Sequence, residues 1–159
     1  MNVVFIDTES KSKAKIMIDN AFKENKFIIV KARDNEFNRK IVENKKVNCI
    51  FDLELANDLN KIEPVKWRDS GLNSVLCRLA KKNEVSIGIN LNTLKNYWQN
   101  VTYLSRLIQN IRLCNKYRNK VVLINLKDND ERNIFSLLLC LGLDTKMAKE
   151  AVLGNIDLN

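Results

Sequence analysis

Five short apolar runs punctuate the chain, and stretches of helical period separate them. The first, Asn2-Val3-Val4-Phe5-Ile6, is apolar at almost every position and ends at Asp7. A run without alternation reads as a strand buried on both faces. Thr8, Glu9 and Ser10 supply a turn and a cap. Ala14, Ile16, Met17, Ala21 and Phe22 then predict a helix, with Lys11, Lys13, Lys15 and Lys23 on its wet side. Phe27 to Val30 is the second buried strand. Asp34 or Asn35 can cap the next helix, where Phe37, Ile41 and Val42 recur at helical spacing and Arg39 and Lys40 stay outside. Val47 to Phe51 forms a third strand, closed by Asp52.

Residues 53–69 read as a loop holding the only proline, Pro64. A helix over Leu72–Lys82 follows, capped by Asp69 or Ser70, with Gly71 in its first turn and Val75, Leu76, Leu79 and Ala80 facing in. In the fourth strand, Val85 to Leu91, Gly88 marks a close backbone approach or a bulge. The longest helix is predicted from Thr93 to Tyr117, with Tyr97, Val101, Leu104, Ile108 and Ile111 as its apolar stripe. Arg106, Arg112, Lys116, Arg118 and Lys120 gather toward its end. Val121 to Ile124 is the fifth strand; a helix over Ile134–Leu141 with Gly142 past its end, and another from Asp144 or Thr145 through Val152, complete the chain.

Strand and helix alternate throughout, and parallel strands need such crossovers, so the class is α/β with a parallel sheet, open or closed. The 159 residues suffice for one domain, 1–159, with a core of its own. The net charge of +8 changes the picture little for fold and more for partners, pointing to nucleic acid or another polyanion. Histidine is absent, which removes the usual general base, most catalytic zinc sites and the Ser–His and Cys–His pairs. Cys49, Cys77, Cys114 and Cys140 form no CxxC pair, and each lies in an apolar stretch. They read as reduced core residues of an intracellular protein. No apolar run reaches the roughly 18 residues of a membrane span, and the chain enters its first strand with no basic leader. A cytoplasmic protein without membrane partners is expected.

Two sets of residues could carry chemistry. Asp7, Glu9, Asp52 and Glu54 stand at strand ends, where parallel α/β proteins place active groups, and could bind magnesium; the same residue types also form caps and turns. The second set is basic and centres on Lys66-Trp67-Arg68-Asp69-Ser70-Gly71-Leu72-Asn73. A guanidinium fork grips phosphate or a guanine edge, an indole offers a face to a base, and a helix start offers free N–H groups. Arg33, Arg39, Lys66, Arg68, Lys82, Arg112, Lys116 and Arg118 lie at strand ends, loops or helix ends.

Three segments carry a resemblance. RDSGLNSVLCRLAKKNEVSIGINL (68–91), DNEFNRKIVENKKVNCIFDLE (34–54) and LCNKYRNKVVLI (113–124) resemble, in order and spacing, segments of the archaeal and eukaryal ribonuclease P protein component 3, the thirty-kilodalton subunit family. The resemblance implies a distorted (β/α) barrel related to polymerase-and-histidinol-phosphatase domains. It implies a subunit of the ribonucleoprotein that removes the 5′ leader from precursor tRNA. The RNA cuts with magnesium, the protein supplies no catalytic residue and holds no metal or cofactor, and its partners are the ribonuclease P RNA, protein component 2 as heterodimer or heterotetramer, and other ribonuclease P proteins. By the same resemblance Asn38 and Arg39 occupy the asparagine-arginine position, Arg68 the basic element before SGLN, Asn73 that turn, and Lys116 the lysine-tyrosine pair. Together with the basic residues Lys66, Lys82, Arg112 and Arg118 noted above, the RNA-binding set expected is Arg39, Lys66, Arg68, Asn73, Lys82, Arg112, Lys116 and Arg118.

Ser74 stands where the family usually has histidine, and Asn125-Leu126-Lys127 replaces a serine-containing turn. Family members are longer, mostly in the N-terminal third, so a reduced or open barrel shortened at its N-terminal end is expected. Two rival readings remain: an independent metal-dependent phosphoesterase built on the four acids, and a protein-binding scaffold whose charge serves solubility.

Overall fold

Side-chain caps set most of the helix boundaries. In the computed structural model, which describes residues 2–64, 66–127 and 130–157, the order is β1 (Val3–Ile6), α1 (Lys11–Lys23), β2 (Phe27–Lys31), α2 (Asn35–Glu43), β3 (Cys49–Phe51), a 3-10 turn (Leu53–Leu55), α3 (Ser74–Lys82), β4 (Ser86–Asn90), α4 (Leu91–Tyr97), α5 (Val101–Tyr117), β5 (Val121–Ile124), α6 (Glu131–Cys140) and α7 (Thr145–Leu153). Ser10, Asp34, Asn73, Asn100, Asp130 and Asp144 each accept a backbone N–H of the first turn that follows.

The five strands are all parallel and lie side by side in chain order. Sequential order with right-handed crossovers puts every helix on the same face. The burial pattern agrees. Ile6, Ile28, Val30, Ile50, Ile87, Ile89, Val121 and Leu123 point into the large core shared with the helices. Ile29, Cys49, Phe51, Val122 and Ile124 point the other way and form a second, small cluster with Ile156. This is the layout of part of a (β/α) barrel left open: β1 and β5 are opposite edges, and no pairing joins them among the described residues. Beside β5, Ile156 forms a parallel bridge to Ile124, donating its N–H to the Leu123 carbonyl at 2.8 Å.

Gly88 explains how the inner face packs without a full barrel. A Cβ there would stand 2.7 Å from Cβ of Phe51 and 2.9 Å from both Sγ of Cys49 and Cδ1 of Ile124. Side chains of β3 and β5 therefore meet over β4, and the register through Gly88 is regular, so the glycine marks close approach and not a bulge.

Several expectations are corrected, among them Val75, expected to face in, which is exposed on α3. The single long helix is two, because the chain turns at Trp98–Asn100 and Asn100 caps α5 through the N–H of Tyr103 at 2.9 Å. The helix after the loop begins at Ser74 with Asn73 as its cap, and Gly71, at φ +72°, lies outside it. There a Cβ would fall 2.3 Å from the Leu53 carbonyl oxygen. In α1 the buried stripe is Ala14, Ile18 and Ala21, while Ile16, Met17 and Phe22 are exposed. Of the four cysteines, Cys49, Cys77 and Cys114 are buried, but Cys140 is exposed near the end of α6. Among the described residues no helix is long and apolar enough to cross a membrane.

Candidate nucleic-acid interface

The inward face of α5 carries polar residues that a hydrophobic pattern does not announce. Arg106 is fully buried and its guanidinium is saturated. Nε donates to Oε1 of Glu63 at 2.9 Å; Nη1 donates to the carbonyls of Glu54 and Asn57 at 2.8 and 2.7 Å; Nη2 donates to that of Asp58 at 2.8 Å. The ion pair with Glu63 closes at 2.7 Å. One turn on, Asn110 donates to Oε1 of Glu54 at 2.8 Å and to the Ser70 carbonyl at 3.1 Å. Burial pushes the Glu54 carboxyl up to about 7, against the pull of the Asn110 bond. Beside Asn110, Gln109 accepts the N–H of Arg68 at 2.6 Å and donates to the Arg68 carbonyl at 2.7 Å and to Oγ of Ser70 at 2.9 Å.

These contacts staple the long connection between β3 and α3 onto α5. The basic stretch Lys66–Arg68 is thereby held at a fixed place although it sits in a segment without regular structure. Below it opens a groove of about 600 Å³ on the helical wall between α3 and α5. Trp67, Arg68, Asn73 and Ser74 line one side; Gln109, Leu113, Lys116 and Tyr117 line the other. The acid at its edge, Asp69, is occupied: its carboxylate accepts from Asn57 at 2.9 Å and pairs with Lys61 at 3.0 Å.

Of the expected RNA-binding residues, the structure brings Arg68, Asn73 and Lys116 into this one groove, with Lys66 next to Trp67 at its edge. Arg112 is exposed one turn before Lys116 on α5. Among the described residues none of Lys66, Arg68, Arg112 and Lys116 has an acidic partner. The others lie apart. Arg39 is on the outer face of α2 and pairs with Glu43 at 2.9 Å. Lys82 ends α3, at the far end from Asn73, and Arg118 follows α5 and pairs with Asp144 at 3.6 Å. Asn73 serves the backbone as well, since its Oδ1 accepts from Val75 and Leu76 at 3.0 Å. The best-grouped cations thus lie where the connection between β3 and α3 meets α5.

The sequence pattern missed Gln109 and Arg106. It places Arg106 in a basic cluster on the helix surface, whereas the structure buries it.

The strand-end acids do not converge. Asp7 is engaged by Arg33 and by Lys31, the latter at 3.5 Å. Asp52 is buried in a left-handed backbone conformation at φ 56°; burial raises its carboxyl, with Thr93 and Asn90 hydrogen bonds opposing. Glu54 faces Asn110, and Glu9 is exposed in the turn after β1. Among the described residues no three His, Cys, Asp or Glu side chains group as a metal site. Among the described residues nothing supports the metal-dependent phosphoesterase reading.

Fold and site together define a parallel α/β half-barrel with an aromatic, cationic groove on its helical wall. The chain is 34% identical over 99 residues to ribonuclease P protein component 3 of Methanococcus vannielii, a stretch covering 60% of this chain and 38% of that relative. The chain therefore matches well under two thirds of that relative's length. In fold it resembles a chain in a cryo-EM structure of archaeal ribonuclease P with mature tRNA, with a TM-score of 0.75 and 23% identity, covering 95% of this chain and 64% of that one. A crystal structure of an uncharacterised protein aligns with a TM-score of 0.58 at 10% identity, over 90% of this chain and 36% of that one. No protein-family profile matches the chain. The resemblance to protein component 3 read from the sequence holds by identity, and the fold is that of a reduced, open barrel in accord with it.

Proposed function

We propose that the chain is a protein subunit of ribonuclease P. It binds the RNA of that enzyme and supports removal of the 5′ leader from precursor tRNA, while the RNA performs the cleavage with magnesium. The observation that carries this reading is the 34% identity over 99 residues to protein component 3. The groove fits it in chemistry. Among the described residues Lys66, Arg68, Arg112 and Lys116 have no acidic partner, and Asn73 lines the groove with Arg68 and Lys116. Arg39, Lys82 and Arg118 lie elsewhere on the surface and serve as outlying contacts.

The role is electrostatic and architectural. Cations fixed on a rigid wall lower the repulsion between phosphates brought close by RNA folding, and each phosphate contact releases counterions. With about five such contacts, log affinity falls against log salt with a slope of about −4. The protein holds no cofactor in this reading. It works in the cytoplasm, pairs with protein component 2 as heterodimer or heterotetramer, and meets the other ribonuclease P proteins in the same particle. Capturing the tagged chain from its native cells and sequencing the RNA that comes with it tests the reading. Enrichment of ribonuclease P RNA and precursor tRNA supports it; recovery of no RNA above a control removes it.

A further inference from the structure

We infer that the groove between residues 67–74 and α5 takes an unpaired RNA nucleotide, with its base stacked on Trp67 and its phosphate held by Arg68 and Lys116. This rests on the reading of the chain as an RNA-binding subunit and goes beyond it by naming the strand state that is read and the side chain that reads it.

Trp67 is 60% exposed although it is one of the largest apolar side chains in the protein. An indole left in water beside two cations is a stacking platform, because every base has a π-face and the cations follow the backbone. In a duplex the bases are stacked on one another and their faces are closed, so such a platform selects unpaired nucleotides. Around Trp67 the cations outnumber the acids. Lys66 and Arg68 flank it in the chain, and Lys116 lines the opposite wall of the groove. Tyr117, on that same wall, has the ammonium of Lys116 and the guanidinium of Arg78 each 5.6 Å from its ring centroid. Asp69, the acid at the edge, is already paired with Lys61. The groove, at about 600 Å³, lies within the usual range for small-molecule pockets.

Preorganisation supports the assignment. Gln109 bonds both the N–H and the carbonyl of Arg68, so the backbone that carries the guanidinium is anchored, while among the described residues the guanidinium itself has no hydrogen-bond or ion-pair partner. With the backbone already anchored, binding has only the side-chain freedom of Arg68 left to restrict.

The test uses fluorescence. The chain has two tryptophans, Trp67 and Trp98, and Trp98→Phe leaves Trp67 as the sole reporter. A short oligouridylate should quench this emission saturably, and a fully paired RNA duplex of equal charge should not. Trp67→Ala should weaken oligouridylate binding about tenfold, Trp67→Phe much less, and Lys116→Ala should weaken it with the Trp67 spectrum unchanged. Equal quenching by the duplex, equal competition by polyglutamate, or unaltered oligouridylate affinity in Trp67→Ala would each overturn the inference. Enrichment of ribonuclease P RNA with the native chain, together with an unquenched Trp67, sinks the groove assignment alone. Saturable quenching without that enrichment sinks the ribonuclease P reading alone.

Discussion

Gln109 grips the peptide of Arg68 at both its polar groups: its amide oxygen accepts the Arg68 N–H at 2.6 Å, and its amide nitrogen donates to the Arg68 carbonyl at 2.7 Å. A side chain here does what a neighbouring strand would do in a sheet. Gln109→Ala leaves both groups without their partner and removes a bond to Ser70. Stability should fall by about 1–3 kcal/mol in urea denaturation. Hydrogen exchange at the Arg68 amide should accelerate more than at the amides of β3 and β4, because the opening is local.

Arg106 has the larger stake. It is a buried cation whose partners are Glu63 and three main-chain carbonyls, so truncation strands an acid inside the protein. Arg106→Ala should lower stability by about 3–5 kcal/mol, measured by denaturant midpoint at constant slope. Arg106→Lys should recover little of this, since a single ammonium cannot reach the Glu54, Asn57 and Asp58 carbonyls and Glu63 together.

Glu54 makes stability depend on pH. Its carboxyl rises from 4.5 to about 7 on folding because it is buried. The folded state therefore keeps a proton that the unfolded state has lost. Stability contributed by the neutral acid is present below the unfolded value and declines as pH climbs from about 4.5 to about 7, after which the full penalty stands. Glu54→Gln removes that penalty and supplies an N–H near the unpartnered Oδ1 of Asn110. Thermal melts should show Glu54→Gln more stable than the parent at pH 8 by about 2–3 kcal/mol, with the difference vanishing near pH 4.

The thiols divide cleanly. Cys49, Cys77 and Cys114 are buried, and burial pushes each thiol up, Cys77 to about 12. Cys140 is exposed. Titration with a thiol reagent should modify one cysteine in the native protein and all four after denaturation; peptide mapping should place the first label on Cys140.

Much of the fold is legible in the sequence because strand runs such as Phe27–Val30 and Val121–Ile124 are apolar on both faces, a pattern that admits few other structures. Caps of the Asp34 and Asp144 type are equally local. The errors arise where long-range contacts decide. The buried face of α5 includes Arg106 and Asn110, so its hydrophobic periodicity points to Val101, which is exposed, and away from Tyr103 and Leu107, which are buried. The break at Asn100 is a capping event inside a periodic stretch, and periodicity hides it. In the site, Arg68, Asn73 and Lys116 are visible as basic or capping residues, but their meeting in one groove depends on how α3 packs on α5. Gln109 carries no sequence signal at all, because its role is defined by a backbone 41 positions away.

The most direct measurement is cleavage of precursor tRNA by reconstituted ribonuclease P, with the archaeal RNA and remaining proteins held constant and this chain present or omitted, over a range of salt. The chain should raise the cleavage rate and lower the magnesium needed. Arg68→Ala should weaken that effect and flatten the salt slope by about one unit. Cleavage that is the same with the chain, without it and with Arg68→Ala, at every salt concentration, would contradict the account.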